Sequence, residues 1–179
     1  MTTGHVFMAM SLDGFIARAD HSLDWLLKHQ IEGEDHGYDA FEASVDGIVM
    51  GSGSFRAVLK FGEWPYRKPV IVLSQSLSDR DVPKHLSDRV TISRSTPSDL
   101  MRERGASGWS RVYVDGGKVV QKFLRDGLVE DLRITIIPIL IGSGIRLFGE
   151  LDHDLALELV AAKPYPSGLL GTHYKVSRK

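Results

Sequence analysis

Apolar positions in this chain follow two periods. Short runs rich in Val and Ile, closed off by Gly, Pro, Asp or Ser, predict strands over residues 5–11, 47–50, 70–73, 89–92, 112–114, 132–139, 156–162 and 172–176. Helical spacing predicts helices over 38–45, 55–60, 98–104 and 118–125, the last with Val119, Val120, Phe123 and Leu124 on one stripe. The stretch "STPSDLMRE" is a helix start, with a hydroxyl residue before Pro97 and acids in the first turn. Beyond Arg125 the helices stop. The tail reads strand, loop, strand, loop, strand, with "KPYPSG" as its last turn.

Alternating strands and helices require a parallel sheet, and a strand-only tail adds antiparallel edge strands. The expected fold is α/β and three-layered: a mixed, mostly parallel sheet of about eight strands, an antiparallel C-terminal edge, and helices on both faces. Residues 1–179 read as one domain, because no linker or repeat divides them. The segment "ITIIPILI" is expected to leave an apolar sheet edge, which makes a homodimer an expectation as well.

Composition narrows the function. Of the 179 residues, 42% are hydrophobic and 25% charged, as in ordinary globular proteins. A net charge of -1 without a basic block offers no attraction to nucleic acid or anionic membrane. No apolar run reaches the ~18 residues of a membrane span. The N-terminus lacks the pattern of a secretion signal, so the cytoplasm is expected. With no cysteine, thiolate nucleophiles, disulfides and cysteine-type zinc sites are excluded, and the scattered histidines show no metal-binding spacing.

Candidate chemistry sits where strands give way to helices, the edge at which such sheets gather ligands. "VMGSGSF" places Gly51, Ser52, Gly53 and Ser54 at one junction. "VIVLSQSLSDR" places Ser74 and Ser76 at a second, and "VYVDGGK" places Gly116, Gly117 and Lys118 at a third. Glycines let backbone N–H groups approach an anion, and a helix N-terminus adds roughly half a positive charge. An ordinary turn or cap explains each junction alone; three after three strands point to a phosphorylated ligand. None fits a G-x-G-x-x-G or Walker motif.

With "MAMSLDGFIA", "DGIVMGSGSF", "VIVLSQSL" and "VYVDGGKVVQKFLRDGLVEDLRITIIPILIGSGIRLF", the chain resembles the dihydrofolate reductase superfamily from about Val6 to Phe148. The resemblance is to the branch shared with the reductase domain of bacterial riboflavin biosynthesis. It implies an NADPH-dependent reductase acting on a pterin- or pyrimidine-like heterocycle. By the same resemblance, the backbone at Ala9 and the residue Ile16 hold the nicotinamide carboxamide. Gly51, Ser52, Gly53 and Ser54 take the pyrophosphate, with Gly116, Gly117, Lys118 and Val119 as its second clamp. Ser74 to Ser76 read the adenosine ribose and its 2′-phosphate. Two positions depart from the folate-reducing members: Ser52 replaces a strong cation, and Asp115 stands where a third glycine is common. Arg56, Arg80 and Arg94 are the substitute cations, with Arg94, after a strand, the first choice. Asp115 is expected to point away from the pyrophosphate and cap the next helix.

Hydride transfer to a C=N bond also needs a proton. The family's carboxylate on the first helix falls on Gln30 counting from Trp25, and on Asp35 counting back from Gly51. Asp35 is therefore the candidate acid, with helix capping as its bland alternative; Glu32, Glu34, Asp39, His36 and Tyr38 stay open. Asp13 is either catalytic or a turn former, and Trp25 either walls the pocket or anchors its loop. Two other functions stand beside this one. The first is the 5-amino-6-(5-phosphoribosylamino)uracil reduction of riboflavin biosynthesis, with Arg18, Lys28 or Arg146 gripping the phosphate. The second is a nucleotide-binding module that has lost its proton donor.

Overall fold

The computed structural model describes residues 1–29 and 31–177, so the candidate position Gln30 lies outside the described residues. In chain order its strands are β1 (Thr3–Ser11), β2 (Phe15–Ala17), β3 (Gly47–Gly51), β4 (Val70–Leu73), β5 (Val90–Ser93), β6 (Arg111–Asp115), β7 (Val129–Ile137), β8 (Ile145–Arg146), β9 (Leu157–Pro164) and β10 (Leu170–Val176). The helices are α1 (Asp24–Leu27), α2 (Tyr38–Ala43), α3 (Ser52–Leu59), α4 (Pro97–Ala106) and α5 (Gly117–Arg125). None of these is long and apolar enough to cross a membrane.

Eight strands form one sheet in the order β5-β4-β3-β6-β1-β7-β10-β9. Pairing is parallel from β5 through β7; β10 then runs antiparallel to β7, and β9 antiparallel to β10. The stripe read on α5 packs Val120 and Phe123, with Leu100 and Met101 of α4, against Val6, Val112 and Leu132 on one face. Phe41 of α2 and Phe55 and Val58 of α3 cover Ile48, Met50 and Val72 on the other. Each of these large side chains contributes about 1.5–3 kcal/mol by leaving water. Alternation along β6 sends Val112 and Val114 to the first face and Tyr113 to the second.

Two features differ from expectation. The strand part of "ITIIPILI" belongs to β7, which lies between β1 and β10, so its apolar residues fill the sheet interior and make no edge. The edge is β9, exposed along its whole length, with Leu157, Leu159 and Val160 open to solvent. The second difference is the extra β2–β8 pair, whose strands are too short to show a period. It ties the "DGFIA" segment to the "GIRLF" segment, reinforced by the Leu147 N–H donating to the Gly14 carbonyl at 3.1 Å.

Candidate active site

At the carboxyl ends of β1, β3, β4 and β6 the molecule opens into a cavity of about 830 Å³. All three glycine and hydroxyl junctions reach it. Gly51, Ser52, Gly53 and Ser54 line it from the start of α3, Ser74 from the end of β4, and Gly116, Gly117, Lys118 and Val119 from the start of α5. Ala9 and Ile16 form part of the same wall. Both α3 and α5 have glycine N-caps and no side-chain cap. The contrast is α4, where the Thr96 hydroxyl accepts the Asp99 N–H at 3.2 Å and Pro97 opens the helix. The first-turn N–H groups of α3 and α5, which have no partner inside a helix, are therefore left for an anion. Arg56, Lys118 and Lys122 also line the cavity, and none forms an ion pair among the described residues.

The two glycines before α5 answer to different constraints. Gly116 has φ +90°, and a Cβ there would sit 2.3 Å from the Ser54 Oγ. At Gly117 a Cβ would meet the Arg146 carbonyl oxygen of β8 at 2.2 Å. Packing alone thus excludes a side chain at Gly117, beside any role toward phosphate. Gly53 lies against His21, whose Cε1 a Cβ would approach to 2.8 Å. His21 lines the cavity, and among the described residues it is the one non-glycine with positive φ, 68°. Composition gave no reason to single it out.

Ser76 and Arg94 do not line the cavity. The Ser74 Oγ accepts the N–H groups of Ser76 and Leu77 at 3.2 and 3.0 Å, closing the turn after β4. Arg94 is exposed, and its carbonyl accepts the Gln75 side chain at 3.0 Å. Of the three substitute arginines, Arg56 is the one at the cavity wall.

The inner wall carries a buried carboxyl. Asp115 does not cap α5; it faces the tyrosine side of the sheet, with the Tyr66 and Tyr113 hydroxyls each at 3.4 Å. The Tyr113 hydroxyl has one hydrogen and a better acceptor, the Phe7 carbonyl at 2.9 Å. Burial pushes both tyrosines well above their ordinary range, so they stay neutral. Compensation for a charge on Asp115 is weak, and burial raises its pKa to about 6 against the opposing hydrogen bonds from Tyr113, the Gly116 N–H and Tyr66.

The other expected acids are engaged elsewhere. Asp35 is exposed and accepts the Gly37 N–H at 2.7 Å; Gly37, not Asp35, is the N-cap of α2. Asp13 clamps two loops, accepting the Ser11 hydroxyl at 2.6 Å and the N–H groups of Ile141 and Gly142 at 3.2 and 2.8 Å. These bonds, Ser11 first, hold its pKa below the usual carboxylate value. Trp25 is fully buried with Ile137 and Leu169, away from the cavity lining. Glu34 holds Ser167, Asp39 pairs with Arg67, and Glu32 is exposed. Arg18 is paired with Asp24 at 2.6 Å, and Arg146 lies over the Phe15 ring.

Comparison with known proteins places this geometry. The family model of the RibD C-terminal domain matches residues 2–170. A crystal structure of a Shewanella sp. PV-4 protein provisionally ascribed to riboflavin biosynthesis superposes with a TM-score of 0.93 at 37% identity, over 99% of this chain and 100% of that one. The uncharacterized protein YwjB of Bacillus subtilis is 30% identical over 161 residues, 89% of this chain and 90% of its own. Dihydrofolate reductase from Enterococcus faecalis, solved with NADP(H), shares the fold with a TM-score of 0.65 at 14% identity, over 98% of this chain and 97% of that one. The sheet order, the full-length likenesses and a family match across nearly the whole sequence agree: this chain belongs to the RibD C-terminal domain family and has the dihydrofolate reductase fold.

Proposed function

We propose that the chain is an NADPH-dependent reductase of a planar, C=N-containing heterocycle of pterin or pyrimidine type, with Asp115 as its proton donor. The observation that carries this reading is the convergence of two uncapped helix N-termini and a buried, protonatable carboxyl on one cavity. The residues present suit the cofactor: N–H groups of α3 and α5 for the pyrophosphate, Arg56, Lys118 and Lys122 for its charge, and the wall at Ala9 and Ile16 for the nicotinamide. When bound, NADPH supplies the hydride. The chain's part is alignment, exclusion of water and the proton.

Asp115 meets the requirements for that proton. A carboxyl at about 6 keeps a usable protonated fraction near neutrality, where an ordinary aspartate keeps almost none. Continuing the β1–β6 register sets Asp115 beside Phe7, two residues from Ala9, so the acid and the nicotinamide wall are about 7 Å apart along the strand. That separation accommodates one substrate ring. Asp115 gives its proton to the substrate nitrogen as the neighbouring carbon accepts hydride, and is reprotonated from solvent through the cavity mouth. This placement argues against a module without a proton donor. Self-association through the exposed β9 edge is part of the same proposal.

The test is NADPH oxidation with dihydropteridine and ribosylaminopyrimidine substrates, followed by absorbance, for wild type and Asp115→Asn. Turnover by wild type and its loss in a variant that still binds NADPH is the expected result. Equal turnover by both proteins removes Asp115 from the chemistry.

A further inference from the structure

A second, smaller cavity of about 210 Å³ lies on the same sheet face, toward the antiparallel strands. Its floor is three strands wide. Arg133 of β7 stands opposite His173 of β10, and Lys163 of β9 stands opposite Gly171, the partner of Thr135. His36 and Tyr165 close it, their rings 4.5 Å apart, with the Lys163 Nζ 4.6 Å over the Tyr165 ring. Of the residues lining the two cavities only Phe7 is shared, and the rings of Tyr38 and Phe41 pack on it at 5.6 and 5.0 Å.

The charges here do not balance. Two acids lie beside the cluster, and each already sits against a histidine, although the Asp131 Oδ1 is buried with no hydrogen-bond partner among the described residues. Asp131 holds His5 at 2.6 Å and His173 at 3.5 Å, while Glu34 holds Ser167 and His36, the latter at 3.4 Å. Arg133 and Lys163 form no ion pair among the described residues. Arg133 is half-buried, its Nε is buried and unpartnered among the described residues, and its guanidinium lies 5.5 Å over the face of Phe41. The His36 Nδ1 is likewise buried without a partner among the described residues. A guanidinium on a cavity wall with no acceptor among the described residues is costly to hold there unless an oxyanion completes it.

We propose that this pocket is a small-oxyanion site, taking a phosphate or carboxylate group between Arg133, Lys163 and the two histidines, separate from the large cavity. Its size suits a free anion or the ionic head group of a larger molecule. The proposal does not depend on the reductase reading.

The test uses the full chain and inorganic phosphate, with acetate and chloride as comparison anions, read by NMR of the histidine rings. Saturable shifts of His36 and His173 with phosphate are expected at a dissociation constant of about 1 mM or tighter. Arg133→Met should weaken this about 10- to 100-fold, as loss of a charge-assisted pair does. Lys163→Gln, on an exposed edge position where folding is not at risk, should weaken it in the same direction. Phosphate should also raise the titration midpoint of His173, which burial and then Arg133 hold below the ordinary histidine value against the pull of Asp131. A preference for acetate over phosphate would identify a carboxylate ligand. Shifts that chloride reproduces, or that survive both substitutions, would overturn the proposal.

Discussion

Replacing Asp115 by Asn should stabilise the protein while disabling it, because both effects come from the same burial. Moving the carboxyl from 3.8 to about 6 puts a penalty of roughly 3 kcal/mol on its charged form in the folded state. The unfolded chain releases this proton near pH 4, while the folded chain keeps it until about pH 6. Between those values the native state binds more protons, so wild-type stability falls as pH rises, and the loss is complete above about pH 6. Asn carries no charge and escapes that loss, while its carbonyl oxygen still accepts from Tyr66. Urea unfolding should therefore find the two proteins equal near pH 4 and the variant more stable by about 1–3 kcal/mol at pH 8. Turnover should fall by about 10²- to 10⁴-fold, the usual worth of a general acid. A variant no more stable at pH 8 than at pH 4, relative to wild type, would refute the burial argument.

Three further outcomes follow from the same geometry. Arg56→Ala and Lys118→Ala should each weaken NADPH roughly tenfold in fluorescence titrations, whereas Arg94→Ala, off the cavity wall, should leave it unchanged. Gly117→Ala should lower unfolding free energy by about 1–3 kcal/mol, because its Cβ would meet the Arg146 carbonyl at 2.2 Å and backbone cannot yield cheaply. Leu159→Glu on the exposed β9 edge should shift the mass measured by light scattering from dimer to monomer, and an unchanged mass would place any self-association elsewhere.

What the chain disclosed about itself divides along physical lines. The α5 stripe and the Val- and Ile-rich strands were readable because local periodicity and burial agree there. The β2–β8 pair was not, since its two short strands exist through pairing across more than a hundred residues. Periodicity also says nothing about neighbours, which is why β7 read as an edge and lies inside. The three glycine junctions were visible as composition, but their convergence is a property of sheet order. Asp115 is the instructive case. Two-residue alternation already put it on the face of Tyr113, opposite Val112 and Val114, whereas Tyr66, which completes its surroundings, comes from a distant loop. The family resemblance points to an acid near α2, where Asp35 serves a turn.

The most direct measurement is titration of the purified protein with NADPH and NADH, following nicotinamide fluorescence. Saturable NADPH binding is expected with a dissociation constant on the order of 1 μM, weakened by Arg56→Ala and unaffected by Asp115→Asn. Binding of neither nucleotide would mean that the uncapped helices and glycine junctions around the large cavity serve the fold alone, and the reductase reading would be wrong.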